Sequence, residues 1–310
     1  FHLLSRPRVA LLSNSPVSSD SYGHLWHHLD QRVGVPFSIL DAQELGGYDL
    51  RRFNVLILPE SYGLGGLLGS VKDELASWVE GGGTLIACGS SAAALTKGGL
   101  GLSKVALRQD ALEDLAAYAT AVERERAART VVIDEAALWG DEAPAEADEP
   151  EAEPKDETKD KGDKEDDEAK DDDKASRVAA DDDARARLFS PAGVTLRATV
   201  HPDAWITAGC DDVLPVLVAG SDVFLAKEPV TTAVRLESAA KLRLGGLLWP
   251  EARARLADSA WLTVERKGHG QLVLFAAMPA FRGYHLASAR LFANAVVLGP
   301  GLGANQPVGW

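Results

Sequence analysis

The chain is poor in the residues that build disulfide and metal scaffolds: of 310 residues two are cysteine and one is methionine, and aromatic side chains make up 6 %. Cys88 and Cys210 lie far apart in sequence, and neither stands in a C-x-x-C or histidine-spaced pattern. That argues against a disulfide framework or a structural zinc site. One bridge between the two stays open; otherwise free cysteines are among the most buried residue types. No unbroken apolar run of about eighteen residues occurs, so no membrane span is expected. A Lys/Arg cluster is missing as well, and duplex nucleic acid, whose binding requires phosphate neutralisation, is set aside.

What charge there is sits in one place. The chain holds 46 Asp and Glu against 32 Lys and Arg. Of these, 21 acids and 7 bases fall between Asp141 and Asp183, leaving 25 of each sign elsewhere. The remainder is electrically balanced. The acidic stretch has almost no apolar side chain larger than alanine, so it cannot offset the conformational entropy of folding and is expected to be disordered. It lacks the alternating ligands and central glycine of a calcium loop. A second role for it is a tether that recognises a basic surface, in which case binding would weaken steeply with salt.

Order is expected on either side. Apolar runs at Arg8–Ser13, Phe37–Asp41 and Asn54–Glu60 are separated by helix-like or turn segments and followed by a fourth strand at Thr84–Ala87, in the order β-α-β-β-α-β. Such an order predicts a layered α/β sheet with helices on both faces. Helices are expected from near Asp20 and over Val71–Glu80, the latter closed by Gly81-Gly82-Gly83. Ala111–Arg129 reads as a helix and Thr130–Ile133 as a strand. Further strands are expected from Val194 and at Val213–Val218, Val230–Arg235, Trp261–Arg266 and Gln271–Ala276, before a closing helix through Asn294. The domain reading is one α/β domain in two parts, 1–135 and 191–310, with residues 136–190 inserted.

The chemically suggestive point is the end of the fourth strand, where Cys88-Gly89-Ser90-Ser91 opens an alanine-rich helix. Strand-to-helix elbows of this kind present nucleophiles or cradle ligands. Cys88 falls at the elbow or one residue before it. A helix starting at Ser90 would favour its thiolate, and the backbone of Gly89, Ser90 and Ser91 could face an anion such as a peptide carboxylate. His24, His27 and His28 share helical spacing, but without a partner carboxylate they read as surface residues rather than a metal site.

Four stretches, RPRVALLSN, LRRFNVLILPE, WVEGGGTLIACGSSAA and GHGQLVLFAAMPAFRGYHLASARLFANAV, resemble the glutamine-amidotransferase-like domain at the C-terminal end of large zinc carboxypeptidase-like proteins of the carboxypeptidase A superfamily. Phe281-Arg282-Gly283 and Phe292-x-Asn294 are the most characteristic pieces. The resemblance covers Arg6–Leu95 and roughly Val194–Leu298. It implies a three-layer flavodoxin-like fold of the class I glutamine amidotransferase type, forming the accessory domain of an exported peptide hydrolase. Phe1 at the start and a lone Met278 read as a segment cut from such a longer chain. Zinc would then be held upstream: the carboxypeptidase site needs His-x-x-Glu plus a distant histidine, and no histidine here has a glutamate three residues on. The partners implied are the upstream peptidase domain and its peptide substrate.

Active class I amidotransferases pair the elbow cysteine with a histidine on a His-Pro-Glu type element after a late strand, where this chain has Phe275-Ala276-Ala277-Met278-Pro279. His285, six residues beyond Pro279, and Glu60, at the end of the third strand, are the candidate helpers for Cys88. Activation by a positioned base contributes about 10²–10⁴-fold to rate. The expectation is therefore a non-catalytic module, with a Cys88-dependent amidase as the alternative.

Overall fold

Four of the expected apolar runs, with a late fifth, form the parallel half of one sheet. The structure, a computed structural model, describes residues 4–112 and 179–304. Strands β1 (Val9–Ser13), β2 (Phe37–Asp41), β3 (Val55–Leu58) and β4 (Thr84–Cys88) lie parallel with β12 (Gly270–Phe275), in the order β2-β1-β3-β4-β12. This is the flavodoxin-like strand order. Every residue of β1, β3, β4 and β12 is buried, as near-continuous apolar strands covered on both faces must be.

Alternation along these strands sends successive side chains to opposite layers. Val9, Leu11, Ile57, Ile86, Cys88 and Phe275 face helix α1 (Ser19–His27), the π-helical turn His28–Val33 that continues it, and helix α8 (Leu286–Leu298), through Leu25, Leu29, Ala289 and Phe292. Ala10, Leu12, Leu56, Leu85 and Leu274 face α2 (Leu64–Ser70), α3 (Lys72–Glu80) and α4 (Gly89–Ala94). The expected three layers are those observed. Helix α2 was not expected in the glycine-rich SYGLGGLLGS; Gly63 enters it at φ +94, and Leu64 and Leu68 are its buried anchors.

Beyond β12 the sheet turns antiparallel. Strand β11 (Ala260–Lys267) pairs with β12 over six residues from Leu262 to Lys267 and then with β9 (Thr231–Leu236). Next come β6 (Val194–Val200) and, at the margin, β7 (Val213–Val218). Short strands β5 (Ala106–Leu107), β8 (Phe224–Leu225) and β10 (Arg243–Gly245) complete it. Pro215 lies in β7, a margin strand where its missing N–H costs no ladder bond.

By internal contacts the chain divides into two units, 1–110 with 182–310, and 111–181. The sheet belongs to the first. Helix α5 (Arg108–Leu112) runs out of it and α6 (179–187) returns. The helix expected to Arg129, the strand at Thr130–Ile133 and most of the acidic insertion lie outside the described residues.

The C-terminal end of that insertion departs from expectation. Residues 179–187 are helical, and Asp183 is 6 % exposed because two arginines hold it. Arg255, on α7 (Pro250–Leu256), donates through Nε at 2.8 Å and through Nη2 at 3.2 Å, and Arg108 Nε stands 3.0 Å away. Arg255 also donates to the Ser221 carbonyl. A second departure is the stretch Leu286–Gly303, which is long and apolar enough to cross a membrane. Here it is the core helix over the sheet, with Leu291, Phe292, Ala295 and Val296 buried.

Candidate functional site

In open α/β sheets of this order ligands bind beyond the carboxyl ends of the parallel strands. β4 ends there, and its alternation decides what Cys88 does. The residue is still extended, at φ −122 and ψ 141, so its side chain follows Ile86 into the α1–α8 layer. It is wholly buried and free. Burial pushes its thiol well above the usual range, and the Glu60 carboxylate nearby pushes it further. Both effects oppose the thiolate that a nucleophile needs.

The elbow itself is the next residue. Gly89 takes φ +50, a left-handed value that glycine adopts without the Cβ penalty. A β-carbon on Gly89 would lie 2.6 Å from Glu60 Cγ and 2.7 Å from its Cδ. The position from which an elbow nucleophile would project is thus occupied by the Glu60 side chain. The serines that follow are tied to the same loop. Ser90 Oγ donates to the Ser61 carbonyl at 2.7 Å and accepts from the Ser61 N–H at 3.0 Å; Ser91 Oγ donates to the Pro59 carbonyl and accepts from Ser61 Oγ at 2.9 Å. Their hydroxyls hold loop 59–61 in place, and α4 behind them is only six residues long.

Glu60 is pinned through its backbone as well. Its N–H donates to Ser21 Oγ at 2.8 Å, and its carbonyl accepts from the Ser18 N–H at 2.8 Å, both at the start of α1. Burial holds its carboxyl above the ordinary range, with Asp222 adding to the effect. Asp222 is raised too, first by burial, against the opposing pull of Arg187 and Arg255 and with a further push from Asp110. Asp222, between β7 and β8, had no motif to signal it.

His285 does not complete a thiol–base pair. It precedes α8, is 8 % exposed, and its ring lies 5.4 Å from the Tyr284 ring. Burial holds it below the usual histidine range. Among the described residues no hydrogen bond joins Cys88, the Glu60 carboxyl and the His285 ring. Cys210, left open as a partner for Cys88, is a separate, partly exposed thiol raised by burial and by Asp211 against the effect of Arg290.

Of the three histidines expected at the surface, only His27 is exposed; His24 is half-buried and His28 is 7 % exposed. The α1 stripe through Leu25 and Leu29 is wide enough to take His28 with it, because α8 closes over that side. Among the described residues no three His, Cys, Asp or Glu side chains are grouped to hold a metal ion. A shallow hollow with room for about one water, lined by Arg8, Arg51, Phe53, Asn54 and Trp78, lies at the opposite, N-terminal ends of the strands.

No family model matches the chain, and no curated protein matches it in sequence. Among solved structures it is similar to a provisionally assigned GMP synthase subunit from Thermoplasma acidophilum, with a TM-score of 0.45, 10 % identity and 94 % of each chain covered. It is also similar to a β-galactosidase from Bacillus circulans, with a TM-score of 0.43 and 11 % identity, covering 96 % of this chain but 31 % of the galactosidase. A cytoplasmic protein of Salmonella typhimurium matches with a TM-score of 0.41 and 11 % identity over 94 % of this chain and 99 % of its own.

Proposed function

We propose that the chain is a non-catalytic, amidotransferase-like accessory module of a larger zinc metallocarboxypeptidase-type peptide hydrolase, exported with it, and that it supports the peptidase domain or positions its peptide substrate. The observation that carries the non-catalytic part is the elbow: a glycine stands at the left-handed position, and the Glu60 side chain fills the space a nucleophile would need. The parent and its zinc are carried by the sequence resemblance alone. The residues of this chain hold no His-x-x-Glu pair, so the metal chemistry is assigned to the upstream domain.

Two measurements test this reading. A diazoketone analogue of glutamine, which alkylates the cysteine of active amidotransferases, is expected to leave the native chain unmodified by mass spectrometry; stoichiometric adduct on Cys88 would favour the amidase instead. In the parent polypeptide, removal of this module is expected to raise KM for a peptide substrate about threefold or more while leaving kcat within about twofold, the pattern of lost uniform binding. An equal loss in both, or no change, would overturn the positioning role.

A further inference from the structure

The layer that covers Cys88 carries histidines where aliphatic residues would serve packing better. α1 and α8 lie over the same face of the sheet, and Leu25, Leu29, Ala289 and Phe292 share one core with Cys88. Inside that seam His28, which opens the π-helical turn continuing α1, is 7 % exposed, its ring 5.9 Å from the Phe292 ring, and its Nε2 is buried without a hydrogen-bond partner. His24, one turn earlier, stands edge-on to Phe281 at 5.0 Å. His285 is the residue before α8, 8 % exposed, with its ring 5.4 Å from the Tyr284 ring. It also sits at the positive end of the helix, which disfavours the imidazolium.

Little surrounds these rings to compensate a proton. Asp20 favours charge on His24, while Arg282 and His27 oppose it. His28 has a backbone hydrogen bond to Ala289 in its favour and His27 and Arg32 against it. Asp30 is exposed and accepts from Gln31. α8 contributes only Arg290, which is engaged with the Ala208 carbonyl, and the 281–283 turn only Arg282.

We propose that the α1–α8 seam is an acid-operated cover: protonation of His28, together with His24 and His285, parts the two helices in mildly acidic solution and opens the Cys88 side of the elbow while the sheet remains folded. The sign follows from burial. In the closed seam all three rings are held below the ordinary histidine range, burial being the leading cause for each. Once opened they return toward about 6.5. Above that pH neither state gains protons and the seam is fully stable. As pH falls through the open-state value the open form takes up protons that the closed form refuses, and closure weakens until the closed-state values are passed. Parting α1 also moves Ser18 and Ser21, which hold Glu60 over Gly89.

Cys88 is a built-in reporter. In the full chain carrying Cys210→Ser, labelling by 4,4′-dithiodipyridine, which reacts with thiols in acid, is expected to accelerate about tenfold or more between about pH 7 and about pH 5 with far-UV circular dichroism unchanged. His28→Leu is expected to abolish most of that rise. An equal rise in His28→Leu would assign it to neutralisation of Glu60 and overturn the proposal. So would a thiol that stays closed until the dichroism itself is lost. Should His28→Leu not fold, hydrogen exchange of the unaltered chain decides: after correction for intrinsic rates, loss of protection in α1 and α8 ahead of β3 and β4 below about pH 6 supports the seam, and uniform loss refutes it.

Discussion

In the parallel half of the sheet, Val9–Leu12, Val55–Leu58 and Leu85–Ala87 are buried by apolar contact on both faces. In the antiparallel half Arg255 and Asp183 are buried as a bidentate pair, and Glu265 accepts from Ser103 Oγ at 2.7 Å and from the Lys104 N–H at 2.9 Å. The halves therefore fail in different ways. Apolar packing loses stability in proportion to the volume removed, whereas a buried pair is of modest net value intact and costly when one partner goes.

The largest expected effect is Arg255→Ala, about 3–5 kcal/mol in urea unfolding, because it leaves Asp183 desolvated with only the half-exposed Arg108. Replacing Arg255 and Asp183 together by apolar residues is expected to restore part of that loss; a double variant no better than the single would show that the helix at 179–187 needs the ions themselves. Leu56→Ala in the parallel half is expected to cost about 3 kcal/mol through the cavity it leaves, with no dependence on salt. Salt dependence in Leu56→Ala equal to that of Arg255→Ala would remove the contrast.

Smaller effects belong to the elbow that follows β4 in the parallel half. Gly89→Ala is expected to cost about 2 kcal/mol, partly for φ +50 and partly for the Glu60 side chain it displaces. On a Glu60→Gly background the same change should cost only about 1 kcal/mol, and a cycle with no coupling would mean that Glu60 does not fill the elbow. Smallest is Glu60→Gln. The carboxyl is raised in the fold, so its contribution is present below the unfolded-state value and is lost as pH rises through the folded one. Tm of Glu60→Gln should exceed that of the unaltered chain by a few degrees at neutral pH, with the gap closing near about pH 4.

Much of the parallel half was legible in the residues. Phe37–Asp41 and Val213–Val218 have the bounds read from sequence, and the other strands differ by a residue or a few at their ends. α2 was hidden by its glycines, since its buried leucines are too few to show a period. The site was less legible. The Cys-Gly-Ser-Ser sequence shows that a turn is there, but which of Cys88 and Gly89 occupies the left-handed position depends on where β4 stops alternating. His28 was read as a surface residue for want of a partner carboxylate, and Asp183 as the end of an acidic stretch with too little apolar surface to fold. Both are buried by partners far along the chain, Phe292 for one and Arg255 for the other.

By itself, then, the sequence determined the strands, the layers and the turn at the elbow, because strand and helix periods and glycine punctuation are local properties. Only the tertiary structure decided that Cys88 points into the α1–α8 layer, that Glu60 lies over Gly89, and that an aspartate of an acidic stretch is buried between two arginines. Burial and electrostatic pairing are set by residues distant in sequence, and the reactivity of a thiol or carboxyl follows from that environment rather than from its neighbours in the chain.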